Sequence, residues 1–431
     1  MLVVTYTPLG DLVQGRPGII GFGVSNTGNA VSDTITATVS LPNGVKYVGL
    51  EESGSPFQSG LFQQGRLLLR ADAAVWSCLG TTTGATCTRP GLAPATATSA
   101  YLDVAADPTS AGDTAPSVTV TSGTLTPVTV TGDRGVQPRG LSARFAAQGP
   151  LKVTEVGNAL LSCPKLASGC PDAQQGVGKK LDDDNWAMTQ YDGDTDPTTQ
   201  ASSGATLTVP AGATVRWAGL YWSGASTGAT SETLKLRAPN ATSYQTITAD
   251  RVDTSPSQEY AAFQAFTDVT SLVQAGGEGD WWAADPQVAV GTGKYAGWSL
   301  VVVLDEPGAA TDAVTVFDGL QTVDESTGPL SFDIAARPHG PARIGSVAWE
   351  GDAKLVGDSL SLDGSALTPQ GGTQDPNNFA DSSSNGAIGP TLTFGTDVDS
   401  FLTTFPSGIP VITAKSSGDT IFLGVVTVSN G

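Results

Sequence analysis

The densest set of residues able to do chemistry is acidic. The stretch LDDDNWAMTQYDGDTDP places Asp182, Asp183, Asp184, Asn185, Asp192, Asp194 and Asp196 within fifteen residues. Carboxylates this close repel one another unless a cation neutralises them. Calcium takes about six to eight oxygen ligands, and Asp and Asn on a turn supply that type. Asp182, Asp184, Asp192, Asp194 and Asp196 are therefore the expected calcium ligands, and the competing expectation is a solvated acidic loop. The Asp192-x-Asp194-x-Asp196 spacing matches the opening of an EF-hand loop. Pro197 stands where that loop needs Gly, however, and Ser203 where it needs its closing Glu, so this is not an EF-hand.

Other acids read as turn residues: Asp318 in FDGL, Glu350 and Asp352 in WEGD, Asp358 and Asp363 in GDSLSLDG, and Asp397 and Asp399 in GTDVD. Asp accepts hydrogen bonds from its own turn and Gly supplies positive φ, which accounts for such pairs without a function. Glycoside hydrolysis needs two carboxyl groups about 5–10 Å apart across a cleft. Glu350 and Asp318 are the candidate pair, which the sequence alone does not bring together. His339 is the only histidine, and no G-x-S-x-G elbow accompanies it, so neither a Ser-His-Asp triad nor a His-rich zinc site is supported. GTGKYAG has the wrong spacing for a phosphate-binding loop.

Among the aromatics, Trp217 and Tyr221 of VRWAGLYWSG fall on one strand face and Leu220 and Trp222 on the other, the pattern of a strand buried on both sides. Trp281 and Trp282 follow the glycine-rich GGEGD and are the candidates for an exposed, sugar-stacking ligand contact. Burial against a neighbouring sheet is the alternative.

The four cysteines form two local pairs, Cys78 with Cys87 and Cys163 with Cys170, neither with C-x-x-C spacing. Two short-range disulfides are expected, and with them an oxidising, extracellular compartment.

The elements that must position these residues are strands. The chain has 431 residues, 21 Lys+Arg against 41 Asp+Glu, a net charge of −20, and 53 Gly with 27 Pro. Such an acidic chain without a basic block is a poor partner for nucleic acid or anionic lipid. No apolar run reaches the ~18–20 residues of a membrane-spanning helix, so no direct membrane insertion is expected. β-Branched runs punctuated by Gly, Pro, Asn and Asp predict an all-β fold with little helix. Strand and turn signals recur every 8–12 residues from 1 to 132, which predicts an immunoglobulin-like sandwich. Residues 133–141 (DRGVQPRGL) read as a linker, and 142–431 as a large β-sandwich or jelly-roll-like domain, one unit or two fused sheets. SQEYAAFQAFTDVTSLVQAG is the one segment expected to make helical turns, with Tyr260, Phe263 and Phe266 at helical spacing. The start lacks a signal-peptide pattern and the end follows directly on a strand, which suits a trimmed segment of a longer protein.

Two segments resemble known families. NTGNAVSDTITATVSLPNGVKYV followed by WSCLGTTTGATCT is similar to the "conserved repeat" domain of unknown function found in bacterial surface proteins. The ordered series GNALLSC, DGDTDP, PAGATVRWAGLYWSG, AGWSLVVVLDEP, VTVFDGL, DPNNFADSS and SGDTIFLGVVTVS resembles the large adhesin-like module that accompanies such domains in secreted or wall-anchored proteins. The resemblance implies an extracellular, non-catalytic structural or binding module and no catalytic residues. Its partners would be a glycan or protein on a host or neighbouring cell, or further copies assembled into a fibre. A secreted carbohydrate-active enzyme is the alternative.

Overall fold

The computed structural model describes residues 1–48, 76–110, 112–226, 228, 231–256, 261–309, 312–334, 340–406 and 409–430. It is 53% strand and 4% helix, so the all-β expectation holds. His339 lies outside the described residues.

Two antiparallel sheets are built only from strands between Leu2 and Thr131. One orders Leu2–Thr7, Pro17–Asn26, Thr96–Ala106 and Val45–Tyr47; the other orders Val128–Thr131, Ser117–Ser122, Ile35–Ser40, Gly84–Arg89 and Ser77–Thr81. Ile35, Ala37 and Val39 point inward while Thr38 and Ser40 are exposed, the alternation of a half-buried strand. Cys78 and Cys87 sit directly opposite one another on neighbouring strands and are bonded, with Cα atoms 4.0 Å apart. Trp76 and Cys87 share the sandwich core, and the Trp76 indole meets Phe22 edge-on at 5.3 Å.

Residues 133–141 are packed rather than loosely tethered. Val136–Gln137 pairs in parallel with Leu12–Val13, and Leu141 is fully buried.

From Ser142 onward four sheets stack face to face. An outer sheet (Gln245–Thr248, Thr233–Arg237, Gly279–Ala284, Ser202–Leu207, Ala387–Ile388) covers a central sheet (Leu151–Ala159, Ala296–Asp305, Thr214–Ala225, Ala261–Asp268, Arg251–Pro256). A facing sheet (Ser142–Gly149, Asp312–Val323, Ile421–Asn430, Pro341–Trp349, Thr396–Thr404) covers the other side of the central one. A cap sheet (Leu330–Asp333, Val411–Lys415, Ser359–Leu362, Ser365–Ala366) lies beyond it, where Phe317 meets Phe332 at 5.3 Å. Thr214–Ala225 is the middle strand of the central sheet, and its alternation divides it as expected. Trp217 and Tyr221 join the core shared with the facing sheet, while Leu220 and Trp222 join the core under the outer sheet.

Of the segment 257–276, Thr270–Gly276 makes the expected helical turns, while Ala261–Asp268, which carries Phe263 and Phe266, is a strand; Tyr260 lies outside the described residues. Phe263 and Phe266 are an odd number of residues apart and so face opposite sides, one in each core. Pairing on both edges of this strand outweighs the local preference.

Buried charge ties the layers together. The Arg16 guanidinium, from the N-terminal sandwich, donates to Asp318 Oδ1 at 3.1 Å and lies 2.6 Å from Asp253. Arg144 donates to the same Asp318 through Nε (2.6 Å) and Nη2 (3.2 Å). Between the central and facing sheets, Arg343 donates to the buried Glu155 at 3.1 and 2.5 Å, and the Thr427 hydroxyl donates to it as well.

Candidate metal centre

Strand Thr396–Thr404 forms the edge of the facing sheet. Residues two apart share a face, so Asp397 and Asp399 point one way while Val398 points into the core. Across the ladder Asp397 lies opposite Ala348 and Asp399 opposite Ser346. The segment 370–385 folds along the free edge of this strand. Gln370 N–H donates to Ser400 O (2.8 Å), Asn385 N–H to Val398 O (2.8 Å), and Val398 N–H to Ser383 O (3.0 Å). That path carries Asp381 in beside the strand.

Asp381, Asp397 and Asp399 each place a carboxylate oxygen within 4.8 Å of the others, and all three residues are buried. Each carboxylate is only half satisfied. Asp397 Oδ1 accepts from Ser382 N–H (2.5 Å) and Ser383 N–H (3.3 Å), Asp399 Oδ1 from Ser383 Oγ (3.4 Å), and Asp381 Oδ2 from Thr373 N–H. The remaining oxygens, Asp381 Oδ1, Asp397 Oδ2 and Asp399 Oδ2, are buried with no hydrogen-bond partner, and so is Ser346 Oγ. Among the described residues no lysine or arginine forms an ion pair with any of the three. Two unit charges within 4.8 Å of each other repel by at least roughly 3 kcal/mol at an effective dielectric of about 20. Three such pairs are costly without compensation. Burial, followed by the neighbouring carboxylates, holds Asp397 and Asp399 well above the usual carboxylate range. Gly372 closes the site at φ +56°, where a Cβ would collide with both Asp381 oxygens and Ser383 Oγ.

A second group of acids adjoins it. Asp183 N–H donates to Asp352 Oδ1 (3.2 Å), Asp352 N–H to Asp419 Oδ2 (3.1 Å), and Ala380 N–H to Asp358 Oδ2 (3.0 Å). Burial first, then Asp183 and Asp419, push Asp352 up to about 9. Burial likewise raises Asp358 to about 7, and burial with the Asp358 charge raises Asp419 to about 7.

The structure distributes the expected calcium ligands between two places. Asp182 caps a single turn at Asp183–Asn185 and accepts from Lys354 N–H at 2.9 Å; Asp184 is exposed. Asp192 accepts from Ser202 Oγ (2.8 Å). Asp194 accepts from Tyr244 OH (2.6 Å) and pairs with Arg237 (3.2 Å). Asp196 accepts from Thr198 N–H (2.9 Å) and Oγ1 (2.7 Å), with Arg237 3.9 Å away. Arg237 therefore already supplies the compensating charge at 194–196.

Asp397 and Asp399 are strand rather than turn residues, and the alternation of TDVD, which would put both on one face of a strand, is the signal that the turn reading missed. Nothing local linked them to Asp381. Asp318 is likewise mid-strand, enclosed by two arginines, which leaves it no role as a cleft carboxylate beside Glu350. Trp281 is fully buried with its indole N–H donated to Gly277 O (3.1 Å), so it is no ligand contact. Trp282 is half-buried under the Arg237 guanidinium. Cys163 and Cys170 are bonded, as expected, and form part of the core beneath the outer sheet.

No protein-family model matches the chain, so the motif resemblances find no counterpart there. No curated protein matches it either. Among solved structures, the secreted serine protease VesC from Vibrio cholerae is 8% identical with a TM-score of 0.17, over 72% of this chain and 50% of that one. This chain thus spans about half the length of VesC. Escherichia coli alpha-2-macroglobulin, from domain MG7 to the C-terminus, is 8% identical with a TM-score of 0.23, over 97% and 94% of the two chains. The collagen binding domain of Erysipelothrix rhusiopathiae surface protein RspB is 9% identical with a TM-score of 0.19, over 74% and 85%. Superpositions this loose carry no argument about what this chain does.

Proposed function

We propose that the chain is a non-catalytic structural or binding module of an extracellular bacterial surface protein. The observation that carries this reading is the pair of short-range disulfides, Cys78–Cys87 and Cys163–Cys170, which account for every cysteine. Bonds of this kind persist in oxidising compartments and are rare in the cytosol. The stacked sheets and the buried Arg16–Asp318–Arg144 junction support a rigid body suited to presenting a surface at a distance. The motif resemblances support a partner of one kind for that surface, a glycan or protein on a host or neighbouring cell, and self-association into a fibre is the alternative.

Peptide mapping without reduction, on protein recovered from its native envelope, tests the reading. Linked Cys78–Cys87 and Cys163–Cys170 peptides are expected, whereas free thiols in that preparation contradict an extracellular address. Product release from a polysaccharide panel, lost in Glu350→Gln, would contradict the non-catalytic part.

A further inference from the structure

At the edge of the facing sheet Asp381, Asp397 and Asp399 bring carboxylate oxygens within 4.8 Å of one another, each residue keeps one buried oxygen without a hydrogen-bond partner, and the buried Ser346 hydroxyl on the neighbouring strand has none either. Ser346 lies opposite Asp399 in the ladder, so its hydroxyl is on the face that carries the carboxylates. It is 1% exposed and stands on a different strand from any of the three acids. We propose that these four residues bind one hard divalent cation, calcium in an extracellular setting, and that the cation fastens the 370–385 segment to the sheet edge.

The ligand chemistry selects the class. Every donor is oxygen, with neither nitrogen nor sulfur in the set, which favours calcium or magnesium over zinc or copper. Calcium–oxygen bonds of about 2.3–2.6 Å let two ligands of one ion stand up to about 5 Å apart, while magnesium at about 2.0–2.1 Å allows only about 4 Å. Calcium also tolerates irregular cages of protein oxygens, whereas magnesium dehydrates reluctantly and demands near-octahedral geometry, so a buried set of carboxylates within 4.8 Å of one another favours calcium. Shared protons are the competing way to relieve the repulsion. A proton on one carboxyl bridges a single acceptor, whereas a cation engages all four oxygens together. Gly372 fits this reading, because only a residue without a side chain lets the backbone wrap so close around Asp381.

The position differs from the acidic run 192–196, where Arg237 and Tyr244 occupy the carboxylates. Cation binding at this site does not depend on the state of the cysteines, so the two are separate observables.

The test is isothermal titration of calcium chloride into the full, disulfide-intact chain after chelator treatment. One site per chain is expected, saturating by about 10⁻³ M, with magnesium at least about tenfold weaker. Asp397→Asn should weaken calcium binding at least about tenfold, and Asp194→Asn should leave it unchanged. Because a core variant can fail to fold, Asp399→Asn is melted in parallel in chelator. Relief of like-charge repulsion should let it unfold at or above the wild-type temperature there, and calcium should no longer raise that temperature. Absence of calcium binding up to about 10 mM, undiminished binding in both Asp397→Asn and Asp399→Asn, or loss of binding in Asp194→Asn would each overturn the proposal.

Discussion

Replacing Asp318 with alanine removes the carboxylate on which two buried guanidiniums converge. Asp318 is 2% exposed and accepts from Arg144 at 2.6 and 3.2 Å and from Arg16 at 3.1 Å, with Tyr221 OH at 3.4 Å. Breaking a buried pair from one side costs about 3–5 kcal/mol, mostly because the surviving charge stays out of water. Arg16 keeps Asp253 at 2.6 Å, which places the expected loss at the lower end, about 3–4 kcal/mol. For a unit of about 290 residues, an unfolding entropy of about 2.1 cal/mol/K per residue converts this into a fall of about 5–7 °C.

The loss should also depend on pH with a definite sign. Burial alone would raise the Asp318 carboxyl, but Arg144 and then Arg16 outweigh it and hold the group below the ordinary range. Its stabilisation is therefore complete above the unfolded value near 4 and disappears as the pH falls through the folded value. Calorimetry of wild type and Asp318→Ala at pH 7 and in acid measures both effects. A loss below about 1 kcal/mol at pH 7, or a difference that grows in acid, would show that Asp318 does not hold the two guanidiniums as a buried ion pair.

Two further outcomes concern the buried acids around Asp352 and Asp381. In chelator, the carboxyls of Asp352, Asp358 and Asp419 are raised to about 9, 7 and 7, so the native state holds more protons than the unfolded chain above pH ~4. Stability should fall as pH rises from about 5 to 8, by up to about 1.4 kcal/mol per unit for each retained proton; a rise over that window in chelator melts contradicts the burial of these groups. Gly372→Ala combines a positive φ with a collision at Asp381, and is expected to cost about 2 kcal/mol or more in denaturant unfolding and to weaken calcium binding. An unchanged midpoint would show that the 370–385 segment does not close as described.

The fold was legible where information is local. Alternation in Thr214–Ala225 assigned Trp217 and Tyr221 to one core and Leu220 and Trp222 to the other, because a period of two needs no knowledge of neighbours. The two disulfides were readable for the same reason, each closing a loop of fewer than ten residues. Ala261–Asp268 misled because Phe263 and Phe266 carry a helical spacing that the ladders on both sides override. Acid density drew attention to 182–196. Charge density along a chain does not report burial, however: the exposed Asp184 and Asp192 and the arginine-paired Asp194 look the same in sequence as the enclosed Asp397. What makes Asp381, Asp397 and Asp399 unusual is that the fold brings them together across a separation of eighteen residues with no ion-pairing lysine or arginine among the described residues, which only tertiary structure displays.

The most direct measurement is the calcium content of the chain after gel filtration equilibrated in about 1 mM calcium, determined by elemental analysis as the excess over the buffer per protein chain. Close to one calcium per chain is expected, removed by chelator with a fall in the unfolding temperature and restored by calcium alone. Protein that carries no calcium, and melts identically with chelator and with millimolar calcium, would contradict it.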